Sequence, residues 1–281
     1  MAVRKLEPGA DDSRAGVRMK SDPSKIDPLK LKLGKGAARH DPRTLLMAAY
    51  ITPSLPTPPA SFDLTTKVKS RWGMMENDQI GDCTCAAAGH LIMEWTANAG
   101  KKIVVPTNKQ IVAAYSAITG YNPKTGANDN GAVELDVLNF WRQSGIAAHK
   151  IGAYVALEPS NHNHIMDAVY MFEGCYIGVQ LPISAQAQTQ NHQPWSVPPG
   201  GTTGDGKPGS WGGHAIPVVA YDSRGVTVVT WGALQTMTWT FWEAYCDEAY
   251  AILSTDYLDN KQQAPQGFSM TQLEADLADL K

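Results

Sequence analysis

The chain has 281 residues, 43% of them hydrophobic and 18% charged, and a formal net charge of −3. That composition buries a sizeable core in one large or two small domains, and the mild acidity argues against nucleic acid as the main partner. No stretch approaches the ~18 apolar residues of a membrane span, and four cysteines in a chain of this length do not make a disulfide scaffold.

Charge is uneven along the chain. Residues 1–40 hold ten Lys/Arg against five Asp/Glu, which leaves −8 on the remainder. Pro8, Pro23, Pro28, Pro42, Pro53, Pro56, Pro58 and Pro59 crowd the first sixty positions. The pattern predicts that residues 1–57 form an extended basic arm rather than a domain. A short helix over 42–50 is expected, with Asp41 as cap and Pro42 at its first position. Three roles fit such an arm: a solvated tail, a docking element for an assembly partner, or a propeptide cut near Ala60. The start lacks an apolar run like a signal-peptide core, so the expectation is synthesis in the cytoplasm; packaging into a virion stays open.

Helical patterns follow at 81–99, at a run after Pro106-Thr107 that carries Ile111, Ala114 and Tyr115, and at 132–144 with Val133, Leu135, Val137, Leu138 and Trp141. Asn128-Asp129-Asn130 reads as a turn and cap, because the spaced ligands and terminal Glu of an EF-hand are missing. The second half changes character. Runs at 151–157, 175–181, 215–221, 225–231 and 237–242 are rich in Val, Ile, Tyr and Trp and predict strands, with one helix over 161–172. A helical first half and a β-rich second half predict an α+β fold. A polar loop spans 184–213, and a tail helix is expected to bring Leu273, Leu277 and Leu280 onto one face.

Two segments carry chemistry. In Gly81-Asp82-Cys83-Thr84-Cys85 a glycine-containing turn delivers cysteine to a helix start, where the partial positive charge favours thiolate. In Gly212-Gly213-His214-Ala215 a histidine opens an apolar strand behind a glycine pair, which lets the backbone approach another element closely. His214 lies 131 residues after Cys83. Other patterns are weaker. Gly201 to Lys207 resembles a phosphate loop, but Pro208 stands where Ser/Thr is needed. His162 and His164 lack paired cysteines at zinc spacing. His90, Cys175 and Cys246 read as core.

The order of four segments resembles the papain-like cysteine peptidases, in particular divergent bacterial and phage-encoded members. These are Ala60-Ser61-Phe62-Asp63-Leu64, Asn77-Asp78-Gln79-Ile80-Gly81-Asp82-Cys83, Gly213-His214-Ala215 leading into Val218-Val219-Ala220-Tyr221, and Thr230-Trp231-Gly232. The resemblance implies a two-lobe domain over 58–260. A helical lobe at about 58–146 would supply the cysteine, and a β-barrel lobe at about 147–258 the histidine. A linker and tail helix would fill 261–281. It also implies a Cys–His pair acting through an acyl-enzyme on a peptide or protein substrate, with no metal or organic cofactor.

The resemblance leaves two assignments open. Cys83 lies 20 residues after Asp63 and puts Asn77 at the oxyanion-donor offset; Cys85 puts Gln79 there. At the position of the family's histidine-orienting Asn, this chain offers Val229 or Thr230, and only Thr can hydrogen-bond an imidazole. Trp231 is expected to pack over the histidine. The rival reading is a catalytically weak or inactive peptidase fold with a structural role in a larger assembly such as a phage particle.

Overall fold

The computed structural model describes residues 27–51, 56–100 and 102–254 and the single positions 256, 271 and 275. The expected tail helix with Leu273, Leu277 and Leu280 lies outside the described residues, as do positions 1–26 of the arm.

Helix α1, Cys83–Asn98, is the axis of the first lobe. Its Ala-rich sequence leaves little bulk on any face, and residues 83–96 are all buried. A helix apolar on every side belongs in a core. Around it pack α2, Asn108–Thr119, and α3, Glu134–Gln143; Trp95 of α1 stacks on Trp141 of α3 at 5.4 Å. Helix α2 starts where Thr107 and Gln110 form a reciprocal capping box and ends at the left-handed Gly120.

The second lobe is an antiparallel sheet. Its strands are β2 (Ile151–Ala156), β3 (Cys175–Leu181), β4 (Gly212–Asp222), β5 (Gly225–Thr230), β6 (Ala233–Thr238) and β7 (Cys246–Ser254), in the order β2-β7-β3-β4-β5-β6. The two-residue β1, Phe62–Asp63, pairs with the far end of β4. Helix α4, His162–Phe172, is capped by Asn161 and packs on the sheet. The α+β expectation holds, with one correction: the sheet stays open between β2 and β6, so it is not the closed barrel the family resemblance implied.

Three local expectations change. The 237–242 run is not one strand: β6 ends at Thr238, whose side chain caps α6, Trp239–Tyr245. Aromatic density suggested β structure, but Phe241, Trp242 and Tyr245 share a buried helix face. Strand β7 went unread because Ala249 to Ser254 are all buried, which removes the polar–apolar alternation. The 184–213 loop holds a helix, α5 (Ser184–Gln190), and a buried Trp195 bonded to β6 through both backbone groups.

The arm, where described, lies on the chain's own body. Residues 41–44 make a turn and Met47–Ala49 a single 3-10 turn, in place of the helix expected over 42–50. Met47 and Tyr50 are buried, and the Leu45 carbonyl accepts a hydrogen bond from Ala156 of β2. No helix among the described residues is long and apolar enough to cross a membrane.

The capping box gives a test of the helical lobe. Thr107→Ala removes the side-chain acceptor of the Gln110 amide and should cost about 1 kcal/mol, read as a lower urea midpoint with unchanged slope.

Candidate active site

Cys83 is the first residue of α1, where helix amides have no partner within the helix. Its Sγ accepts a hydrogen bond from the amide of Ala215 on β4, at 3.4 Å across the two lobes. Tyr176 of β3 reinforces the same junction by donating its hydroxyl to the Thr84 carbonyl at 2.9 Å. The site therefore sits where the N-terminus of α1 meets the start of β4. Cys85 lies two residues further into α1 and is fully buried.

His214 immediately precedes Ala215, so the same strand carries the histidine to the thiol. Its Nε2 is 2.8 Å from Thr230 Oγ1, and its ring stacks on Trp231 at 4.4 Å and 14°. Trp231 in turn stacks on Trp211, an aromatic that sequence reasoning did not connect to the site. The other ring nitrogen, Nδ1, is buried and without a hydrogen-bond partner. One nitrogen is thus anchored and the other left without a partner. Thr230 occupies the orienting position; Val229 is buried core.

The two oxyanion-donor candidates separate clearly. Asn77 is buried; its amide reaches the Lys32 carbonyl at 3.5 Å and the Ile80 carbonyl at 3.3 Å. Gln79 is exposed and bonded to its neighbour Asp78, so it is not brought to the site.

The cleft between the lobes is filled by the arm. Residues 32–36 run across it as a strand-like segment bonded to both sides. Lys35 N–H donates to the Gly213 carbonyl at 3.1 Å on the sheet side. On the helical side, Ala132 donates to the Gly34 carbonyl and Gly36 donates to the Ala132 carbonyl, both at 2.8 Å. Trp231 Nε1 donates to the Lys32 carbonyl at 3.2 Å, and the Gly34 amide pulls the Cys83 thiol pKa down. The passage is tight: a Cβ on Gly34 would lie 1.8 Å from the Gly81 carbonyl oxygen. The close approach that the Gly212-Gly213 pair permits is an approach of this arm. The fit was invisible in the sequence, because a basic, proline-rich stretch gives no register against a distant groove. An open cavity of about 430 Å³ lies elsewhere, between β1 and the edge of β5 and β6 near Tyr221, Arg224 and Met237.

The covering segment sets the electrostatics. Burial pushes the Cys83 thiol up to about 12, despite the amides of Ala215 and Gly34 pulling the other way. Burial also pushes the His214 imidazole down to about 3. Desolvation disfavours both charged forms, so with the arm in place the pair is neutral thiol and neutral imidazole. Asp82, next to the thiol, is itself buried, which raises its carboxyl well above the usual range, and Asp82 and Glu134 both push the thiol further up. His90 bonds the Gly73 carbonyl at 3.0 Å and is a core residue.

No protein-family model matches the sequence, and no curated protein matches it. Solved structures do match in three dimensions. Xylellain, a cysteine protease from Xylella fastidiosa, superposes with a TM-score of 0.60 at 17% identity, over 80% of this chain and 97% of that one. The ragweed pollen allergen Amb a 11, a cysteine protease crystallised in its proform, gives a TM-score of 0.51 at 12% identity, over 72% of this chain and 68% of that one. The chain has the papain-like peptidase fold.

Thr230 is the residue to test in this arrangement. Thr230→Val removes the hydrogen bond that holds the buried His214 ring at Nε2 and should destabilise the protein by about 1–3 kcal/mol, while Thr230→Ser should retain most of it. Urea melts of the two variants compared with the parent give the answer.

Proposed function

We propose that this chain is a cysteine peptidase, with Cys83 as nucleophile and His214 as its base, held latent by its own N-terminal arm. The observation that carries the reading is the anchored imidazole. Nε2 is tied to Thr230, Nδ1 is left without a partner, and the next amide along the strand touches the Cys83 sulfur. A structural core needs no such half-satisfied histidine beside a helix-start thiol.

In the open state water and substrate replace the arm. His214 takes the thiol proton, and the resulting thiolate is favoured by the imidazolium and by the N-terminus of α1. The thiolate attacks the scissile carbonyl carbon. The oxyanion accepts hydrogen bonds from the Cys83 amide and from the Asn77 side chain. His214 returns its proton to the leaving amine, leaving a thioester on Cys83. A water, deprotonated by His214, then attacks the thioester and releases the acid and the free thiol. Thr230 keeps the ring in register through Nε2, and Trp231 shields that hydrogen bond from water. None of these steps calls on a metal or organic cofactor.

The arm binds as an inhibitor rather than as a substrate. It presents the Gly34 N–H to the sulfur, while the Gly34 carbonyl is engaged by Ala132 on the opposite side. Attack needs a carbonyl carbon about 3–3.5 Å from the nucleophile, and an amide hydrogen in that place blocks it. The propeptide reading of the arm gains support from this contact. The assembly-partner reading finds no observation in its favour, since the described arm residues are engaged by the chain itself.

Two variants separate the closed and open states. With the arm in place, Cys83 should resist alkylation well beyond pH 8.5, where a free thiol already reacts. Gly34→Val cannot occupy the groove beside Gly81, so it should expel the segment and bring Cys83 alkylation down to pH 5–6. Adding His214→Ala should return the reaction to the alkaline range. Peptide mass mapping of each cysteine reads the outcome; alkaline-only reactivity in the Gly34→Val chain would sink the nucleophile assignment.

A further inference from the structure

Among the described residues of the arm, Lys35 is the one buried cation. Lys35 leaves the backbone beside the reactive pair, its N–H on the carbonyl of the residue preceding His214. Its side chain then runs across β3 at Gly178, a position that pairs with Ala215 of β4 and with Glu248 of β7. A Cβ at 178 would lie 2.0 Å from Lys35 Cε, so the trough exists because this position carries no side chain. At the end of the trough Nζ lies 2.7 Å from Glu248 Oε1, 3.0 Å from Asp247 Oδ2 and 3.2 Å from the Gly36 carbonyl. The Lys35 side chain has no exposed surface.

A third carboxyl completes the surroundings. Glu134, in the first turn of α3, is fully buried, and neither of its oxygens has a hydrogen-bond partner. Burial and the neighbouring Glu248 hold its carboxyl well above the usual range, with Lys35 pulling the other way. The carboxylates are held without help from the arm. Tyr250 donates its hydroxyl to Glu248 Oε2 at 2.9 Å, and Gln180 donates to Asp247 Oδ2 at 2.6 Å. The trough is therefore a site already built for a cation on a slender aliphatic stem.

We propose that Gly178, Glu134, Asp247 and Glu248 form the specificity subsite of this cleft, and that it takes a basic Lys- or Arg-type side chain of the substrate in the place Lys35 now holds. The proposal rests on the peptidase reading and names its substrate class. With the arm gone, the trough would hold up to three carboxyl groups and no counter-charge. An apolar substrate side chain would leave them buried and unpaired, which is strongly disfavoured. A basic side chain restores the pairing that Lys35 supplied, and specificity built on charge pairs discriminates against the neutral isostere by leaving the site's own charges orphaned.

The test uses the full chain carrying Gly34→Val and Lys35→Ala, which clears both the groove and the trough. The probes are acetyl-Lys-Gly amide and acetyl-norleucine-Gly amide, equal in stem length and differing in charge, followed by NMR titration. The corresponding fluoromethyl ketones report Cys83 labelling. At least ten-fold tighter binding of the Lys probe is expected, reduced several-fold by Asp247→Asn, a partly exposed site, and further by Glu248→Gln. Equal binding of the two probes, or no binding of either, overturns the subsite. Preferential binding of Lys with no labelling of Cys83 leaves the subsite standing and sinks the peptidase reading. Labelling at equal rates by both ketones does the reverse.

Discussion

The passage of Gly34-Lys35-Gly36 between the two lobes governs the state of everything near it. Three backbone hydrogen bonds tie this segment to Ala132 on the helical side and to Gly213 on the sheet side. It fits because Gly34 has no side chain to meet the Gly81 carbonyl. Neither lobe has to move for the groove to close, and the arm completes it as a strand-like filler. Water is excluded from Cys83 and His214 as a consequence, and the lysine between the two glycines is steered into its carboxylate-lined trough.

That exclusion has an electrostatic meaning. The thiol and the imidazole are each forced toward neutrality by the same loss of hydration. Under the peptidase reading proposed above, this suppresses the charge separation that Cys83 and His214 need in order to react. Lys35 shows the opposite response to burial. Burial works against its charge, but Glu134, Glu248 and Asp247 together outweigh that effect and hold its pKa above the usual value. One short segment thus discharges the reactive pair and keeps its own cation charged, because its side chain ends among carboxylates and its backbone covers neutral groups.

Much of this was legible in the sequence, and the reasons for the gaps are physical. The helix-start Cys83 and His214 at the mouth of β4 are local patterns of residue type and spacing, whereas the Thr230-Trp231 turn was legible only through the family resemblance. Boundaries marked by caps, such as Thr107 and Asn161, were readable for the same reason. Strand β7 was not, because a strand buried on both faces loses its alternation. The open sheet was not, because closure depends on whether β2 and β6 meet. The different placement of Asn77 and Gln79 depends on the turn over residues 75–79 before α1, which sends one side chain inward and the other to solvent. Lys35 and Glu134 lie 99 residues apart, and nothing in either neighbourhood announces that they share a charge cluster.

The covering segment and β1 belong to one chain, about 26 residues apart from Gly36 to Phe62. An intramolecular ligand on a tether of that order sees its groove at an effective concentration in the millimolar range, so weak individual contacts suffice to keep it seated. A single cut between the two points would change that abruptly. The freed fragment would fall to the bulk concentration of the protein itself, and dilution would finish what the cut began. Gating built on a tether has memory: it opens once, and its reversal requires a new molecule rather than a new equilibrium.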